Sequence, residues 1–169
     1  MIRRLSQWQP WLSTAARLFL AGVFIWAGWP KLIDSEGTVR SVRAFKLLPE
    51  ALVPTFGYAL PVLELVLAGL LVAGLFTMVA ALATAAMMVI FLFGIGAAWA
   101  RGLSIDCGCF GNAGTLVADP VSGYVRDIFR DLGFLIVALA LARWPRAALS
   151  ADRLLGLTLP ERAPEPARR

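Results

Sequence analysis

MVAALATAAMMVIFLFGIGAAW, residues 78–99, contains no charged side chain, and this stretch decides the class of fold. A hydrocarbon core about 30 Å thick needs about 20 mostly apolar residues per helical crossing, because each backbone amide must find its partner within its own segment. Toward the N-terminus, only residues 74–78 interrupt the apolar run before a second stretch, Phe56 to Phe76, whose one charge is Glu64. So short a break admits a tight helical hairpin and little else, so the two helices should be antiparallel neighbours. A third stretch, Leu12 to Trp29, carries only Arg17, and a fourth runs from about Val121 to Trp144. Composition points the same way: 59% of the 169 residues are hydrophobic and 16% charged, with a mean hydropathy of +0.74, more than a soluble core of this size requires. The expected fold is all-α, an integral membrane four-helix bundle.

Arginine placement gives the expected orientation. With the N-terminus in the cytoplasm, that side holds Arg3, Arg4, Arg17 and the arginines from Arg143 onward, whereas the basic residues of the other side are offset by acids such as Asp34, Glu36 and Glu50. Both termini are then cytoplasmic. Trp8, Trp11 and Trp144 fall at one interface and Trp26, Trp29 and Trp99 at the other. Ala27-Gly28-Trp29-Pro30-Lys31 reads as a membrane exit, not a cleavage site, so the first stretch is expected to be a retained anchor. Between the first two spans, Val39, Val42 and Phe45 recur every three residues beside Arg40, Arg43 and Lys46, the pattern of a short amphipathic helix on the outer interface. Residues 1–147 are expected to form the transmembrane domain, and 148–169 a basic, proline-rich and poorly ordered cytoplasmic tail. The pI of about 10.0 reflects arginines flanking a membrane, and no nucleic-acid partner is expected.

The chain has two cysteines, Cys107 and Cys109, in the run Asp106-Cys-Gly-Cys-Phe-Gly111 after the third span. Thiols two residues apart can join only in a small ring of poor torsion, and a strained bridge is easily reduced. An exchanging redox pair is one reading. A lock on the loop is another. A metal site is a third, although two thiolates fall short of the four ligands zinc prefers and the chain has no histidine; no metal is assigned. With thiols near one face only, the chain cannot carry electrons across the membrane by thiol exchange alone. Electrons must leave to a membrane-soluble acceptor such as a quinone or to a partner protein on the same side, and no other cofactor is indicated.

A second constellation lies inside the spans. Glu64 is ten residues past Pro54 and Arg130 ten past Pro120, so both should sit about 15 Å deep and within reach of each other. Arg126 lies one turn before Arg130. A lone charge in lipid is costly, so such groups pair or line a polar cavity. Glu64, Arg126 and Arg130 are therefore candidates for a pocket that handles protons or a quinone head group, or for a structural salt bridge. Arg17, nearer the cytoplasmic end, is expected to snorkel.

Ala27-Gly28 with Lys31, Leu48-Pro49, Leu60-Pro61 with Glu64, and above all Asp106-Cys-Gly-Cys-Phe-Gly111 followed by Arg126-Asp127 resemble the MauE branch of the DoxX-like membrane proteins, over roughly residues 13–144. The resemblance implies a four-helix protein of the bacterial plasma membrane tied to redox maturation. It also implies Cys107 and Cys109 as the redox pair and an extracytoplasmic thioredoxin-like partner, MauD in the methylamine pathway. The implied beneficiary is a disulfide-rich enzyme such as methylamine dehydrogenase. A non-catalytic anchor for an oxidoreductase, or a quinone-binding bundle, are the other classes the residues allow.

Overall fold

The computed structural model describes residues 2–103, 105, 120–144 and 150–156. Its elements are helices: α1 (Ile2–Ile33), α2 (Ser35–Ala44), α3 (Val53–Ala73), α4 (Thr77–Ala100), α5 (Pro120–Arg143) and the single turn α6 (Ala151–Leu154). No sheet occurs among the described residues. Three helices are long and apolar enough to cross a membrane, spanning Gln9–Ile33, Val53–Ala73 and Thr77–Ala100. The fourth expected span, α5, has the length but carries Arg126, Asp127, Arg130 and Asp131 in its first half, which sets it apart in composition.

Contacts fix the arrangement. Ala138 and Leu141, late in α5, pack with Leu20, Leu71 and the early α4 residues Ala80, Ala81 and Ala85. Tyr124, early in α5, packs with Ile95 and Ala98, late in α4. The two helices are therefore antiparallel along their length. Helix α3 stops where Gly74 turns left-handed at φ +64, and α4 begins three residues later, so the expected tight hairpin is present. Small alanines on α4 let α5 approach closely, while the outward residues of the bundle, among them Trp26, Ile90, Phe93, Phe129 and Ile136, are large and apolar.

Helix α2 forms where the three-residue pattern predicts one, capped by the Asp34 carboxylate accepting from the Gly37 amide at 2.8 Å. Its buried face differs from the expected stripe: Gly37, Thr38, Val39 and Ser41 are buried, while Val42 and Phe45 are half-buried. The reason is close packing on α3, since a Cβ on Gly57 would lie 2.6 Å from Val39 Cγ2 and 2.8 Å from its Cα. Phe45 meanwhile lies against Gly94 of α4. Small residues on both partners thus clamp α2 to the bundle, a feature that apolar spacing does not reveal.

The hairpin end holds two departures from expectation. Arg17 does not snorkel. It is buried beneath the α3–α4 turn, where a Cβ on Gly74 would sit 1.6 Å from its Nη1, and it lies within electrostatic reach of Asp152. The second concerns the supposed loose tail, of which Ser150 and Asp152 dock on the same turn. Asp152 donates its amide to Gly74 O at 3.0 Å, and its carboxylate accepts from the Phe76 and Thr77 amides at 2.7 and 2.8 Å. The first amides of any helix lack intrahelical partners, and here a residue 75 positions away caps α4. Replacing Asp152 with Ala is expected to cost roughly 0.5–2 kcal/mol of stability, read as earlier thermal unfolding of the detergent-solubilised protein, with Asn in its place recovering part of the loss.

Candidate functional site

Cys107, Cys109 and the rest of residues 106–119 lie outside the described residues, so the site is built here from the helices and segments around them. At the end of the bundle opposite the hairpin, the chain enters that segment through Leu103 and Ile105 and leaves it into α5 at Pro120. Tyr124 ties entry to exit. Its buried hydroxyl donates to Leu103 O at 2.6 Å and accepts from the Ile105 amide at 3.2 Å. Arg101, at the close of α4, donates to Phe45 O and Lys46 O at 2.7 and 3.1 Å, joining the ends of α2 and α4. Lys46 takes the left-handed conformation at φ 50, which turns the chain after α2. Neither Tyr124 nor its bonds followed from the sequence pattern, because a tyrosine in an apolar helix is commonly plain core.

Below this rim lies a buried charge cluster. Glu64, 1% exposed, accepts from Lys31 Nζ through Oε1 at 2.6 Å, and Lys31 is itself only 7% exposed. Gly28 makes the approach of α1 and α3 possible, since a Cβ there would lie 3.1 Å from Glu64 Cβ. The Lys31 ammonium also sits 5.5 Å from the centre of the Phe91 ring of α4, an attractive cation–π placement. The Glu64–Arg130 meeting expected from equal depth is replaced by these contacts. Arg130 instead folds back on its own helix, with Nη1 2.8 Å from Asp127 Oδ1 and Nη2 2.9 Å from Asp131 Oδ1. Bonding partners on the same helix, one a turn away and one adjacent, require no interhelical reach, which is why local pairing prevails.

Lys31 looked like a residue that had left the membrane. Glu64 lies eleven positions into α3, yet Lys31 is two residues from the end of α1. Contact between them means that α1 ends well below the level at which α3 begins, and α2 fills the step. The cue available in sequence was the Gly28-to-Lys31 spacing, one helical turn that places both on the face toward α3. Arg126, the remaining candidate, is 80% exposed, with its Nε 4.0 Å from Asp127 Oδ1, and does not line the pocket.

The pocket itself is a cavity of about 20 Å³ whose walls include Lys31, Glu64, Met88, Phe91 and Asp131. That is space for about one water molecule, and a quinone ring does not fit it without movement of the helices. No group of three or more metal-ligating side chains occurs among the described residues.

The family model described as Methylamine utilisation protein MauE matches residues 9–144. The chain is 35% identical to a Methylamine utilization protein MauE of Paracoccus denitrificans over 151 residues, 89% of this chain and 78% of that protein. It is 39% identical to the MauE of Methylophilus methylotrophus over 59% of this chain and 53% of that one. With the MauE of Methylorubrum extorquens it shares 40% identity over 62% of this chain and 56% of the other. No solved structure matches the chain.

Replacing Tyr124 with Phe strands the Ile105 amide and the Leu103 carbonyl, and a stability loss of about 1–3 kcal/mol is expected. Hydrogen–deuterium exchange should then speed up in peptides covering residues 100–105 while those within α3 stay unchanged.

Proposed function

The chain belongs to the MauE family, and from this premise we propose that it is a membrane redox component of methylamine utilisation. In this reading Cys107 and Cys109 exchange disulfides with an extracytoplasmic thioredoxin-like protein, in the maturation of a disulfide-containing enzyme such as methylamine dehydrogenase. The observation that carries the reading is that the chain's two cysteines stand two residues apart, in a segment whose entry and exit Tyr124 ties together. Each exchange conserves atoms and charge. A partner thiolate attacks one sulfur of the oxidised pair and forms a mixed disulfide; the partner's second thiolate then breaks it, and the pair departs as a dithiol having gained two electrons and two protons. The reduced pair then passes its electrons to a quinone or to a second thiol protein; in the reverse sequence one thiolate of the reduced pair attacks a partner disulfide, the other resolves the adduct, and the partner is reduced.

We read α5 as the fourth crossing. Its outward stripe, Val121, Val125, Phe129, Leu132, Ile136 and Leu139, is apolar throughout, while Asp127 and Asp131 face inward. Exposed Arg126 lies less than two turns from the helix start, near enough for its guanidinium to reach a head-group region. In the same reading the protein sits in the bacterial plasma membrane with both termini cytoplasmic and α2 at the outer interface. The 106–119 segment then faces a compartment where disulfides persist. Residues 148–169 form a cytoplasmic extension whose start is clasped to the bundle by Asp152.

Differential labelling in intact cells tests the redox reading. A membrane-impermeant thiol reagent is expected to label Cys107 and Cys109 only after mild reduction, and single Cys→Ser variants to trap a mixed disulfide with the partner. The double Ser variant is expected to abolish maturation of the client enzyme. Constitutively free thiols, no trapped adduct and full function of the double variant would instead indicate a non-catalytic anchor.

A further inference from the structure

Among the described residues, the charges around the cavity do not balance. Three carboxylates are almost fully buried: Glu64 on α3 and Asp127 and Asp131 on α5, at 1%, 6% and 3% exposure. Against them stand two cations, Lys31 on α1 and Arg130 on α5; Arg126 is out in the open. Helix α4 contributes Met88 and Phe91 to the wall and no titratable group; from α2, the Thr38 hydroxyl donates to the backbone Lys31 O. Each cation is already shared out. Lys31 holds Glu64 through Oε1, and Arg130 spans Asp127 and Asp131 through their Oδ1 atoms. Counted over the described residues, one negative charge is left over in surroundings where an uncompensated charge is expensive.

The unused oxygens indicate where it is neutralised. Glu64 Oε2 and Asp131 Oδ2 are buried with no hydrogen-bond partner among the described residues, and both side chains line the same cavity. A metal cation is a poor occupant, since an ammonium already occupies the wall. A proton fits the charge count, and a cavity of about 20 Å³ takes a single water to carry it between the carboxyls.

We propose that Glu64 and Asp131 share one proton through a water held in the cavity, making the centre of the bundle a proton-exchange site. In the transfer, the protonated carboxyl gives its proton to the water while the water gives one to the opposite carboxylate. One O–H bond breaks and one forms at each oxygen pair, and the net charge of the cluster is unchanged. The site goes beyond the thiol reading and stands without it.

Infrared spectroscopy of the purified full-length protein in lipid nanodiscs tests this directly. At neutral pH exposed carboxyls are ionised, so wild type is expected to show a protonated-carboxyl C=O band that moves to lower frequency in D2O. Because removing either carboxyl balances the remaining charges, Glu64→Gln and Asp131→Asn should each abolish the band. Cys107→Ser/Cys109→Ser should retain it. Absence of the band in wild type overturns the proposal, whatever becomes of the variants. So does its survival in both carboxamide variants, its loss in only one of them, or its loss in the cysteine variant.

Discussion

A charged group carried into a low-dielectric helix bundle must be met by an opposite one, and the Lys31–Glu64 contact is where this protein meets that requirement across helices. The pair links α1 to α3 at a height that forces α1 to end early. That early end creates the step filled by α2, whose clamp on Gly57 and Gly94 then brings the close of α2 beside the close of α4. Arg101 and Tyr124 finish the rim from there. Each later contact presupposes the earlier one.

The opposite end solves the same problem by different means. Arg17 is enclosed, not extended, and the chain returns from beyond α5 to place Asp152 over the first amides of α4. Ser13, about three turns into α1, donates to Trp144 O at 2.8 Å, so α1 meets the end of α5 at this level as well. Both ends of the bundle are thus closed by side chains satisfying backbone groups that helix termini leave open. The middle is held by small-residue packing and by a charge cluster with one proton to spare, which makes it the part best suited to moving protons.

Much of the fold could be read from the sequence because apolar length and short interruptions act locally. The chargeless run from Met78, the hairpin at Gly74, Pro120 opening α5 and the helix around Val39 all follow from neighbours in the chain. The family also announced itself through a local motif, Cys-Gly-Cys-Phe-Gly, and matches over residues 9–144. Partners set by three-dimensional height were not readable in this way. Counting ten residues from two prolines placed Glu64 opposite Arg130, but α1 supplies Lys31 from an unexpected depth and Arg130 has one acid a turn away and another next to it on its own helix. Arg17 and the start of the tail departed from expectation for a related reason, since an electrostatic interaction between residues 135 positions apart leaves no periodic trace.

The most direct test of this account is a double-mutant cycle on Lys31→Met and Glu64→Gln, read as unfolding free energy in detergent. If the pair is the interhelical keystone, each single variant loses about 3–5 kcal/mol by taking the contact partner away from a buried charge, and the double variant regains most of that loss. Simple addition of the two losses, or single variants as stable as the wild type, would show that Lys31 and Glu64 do not depend on each other and would contradict the account.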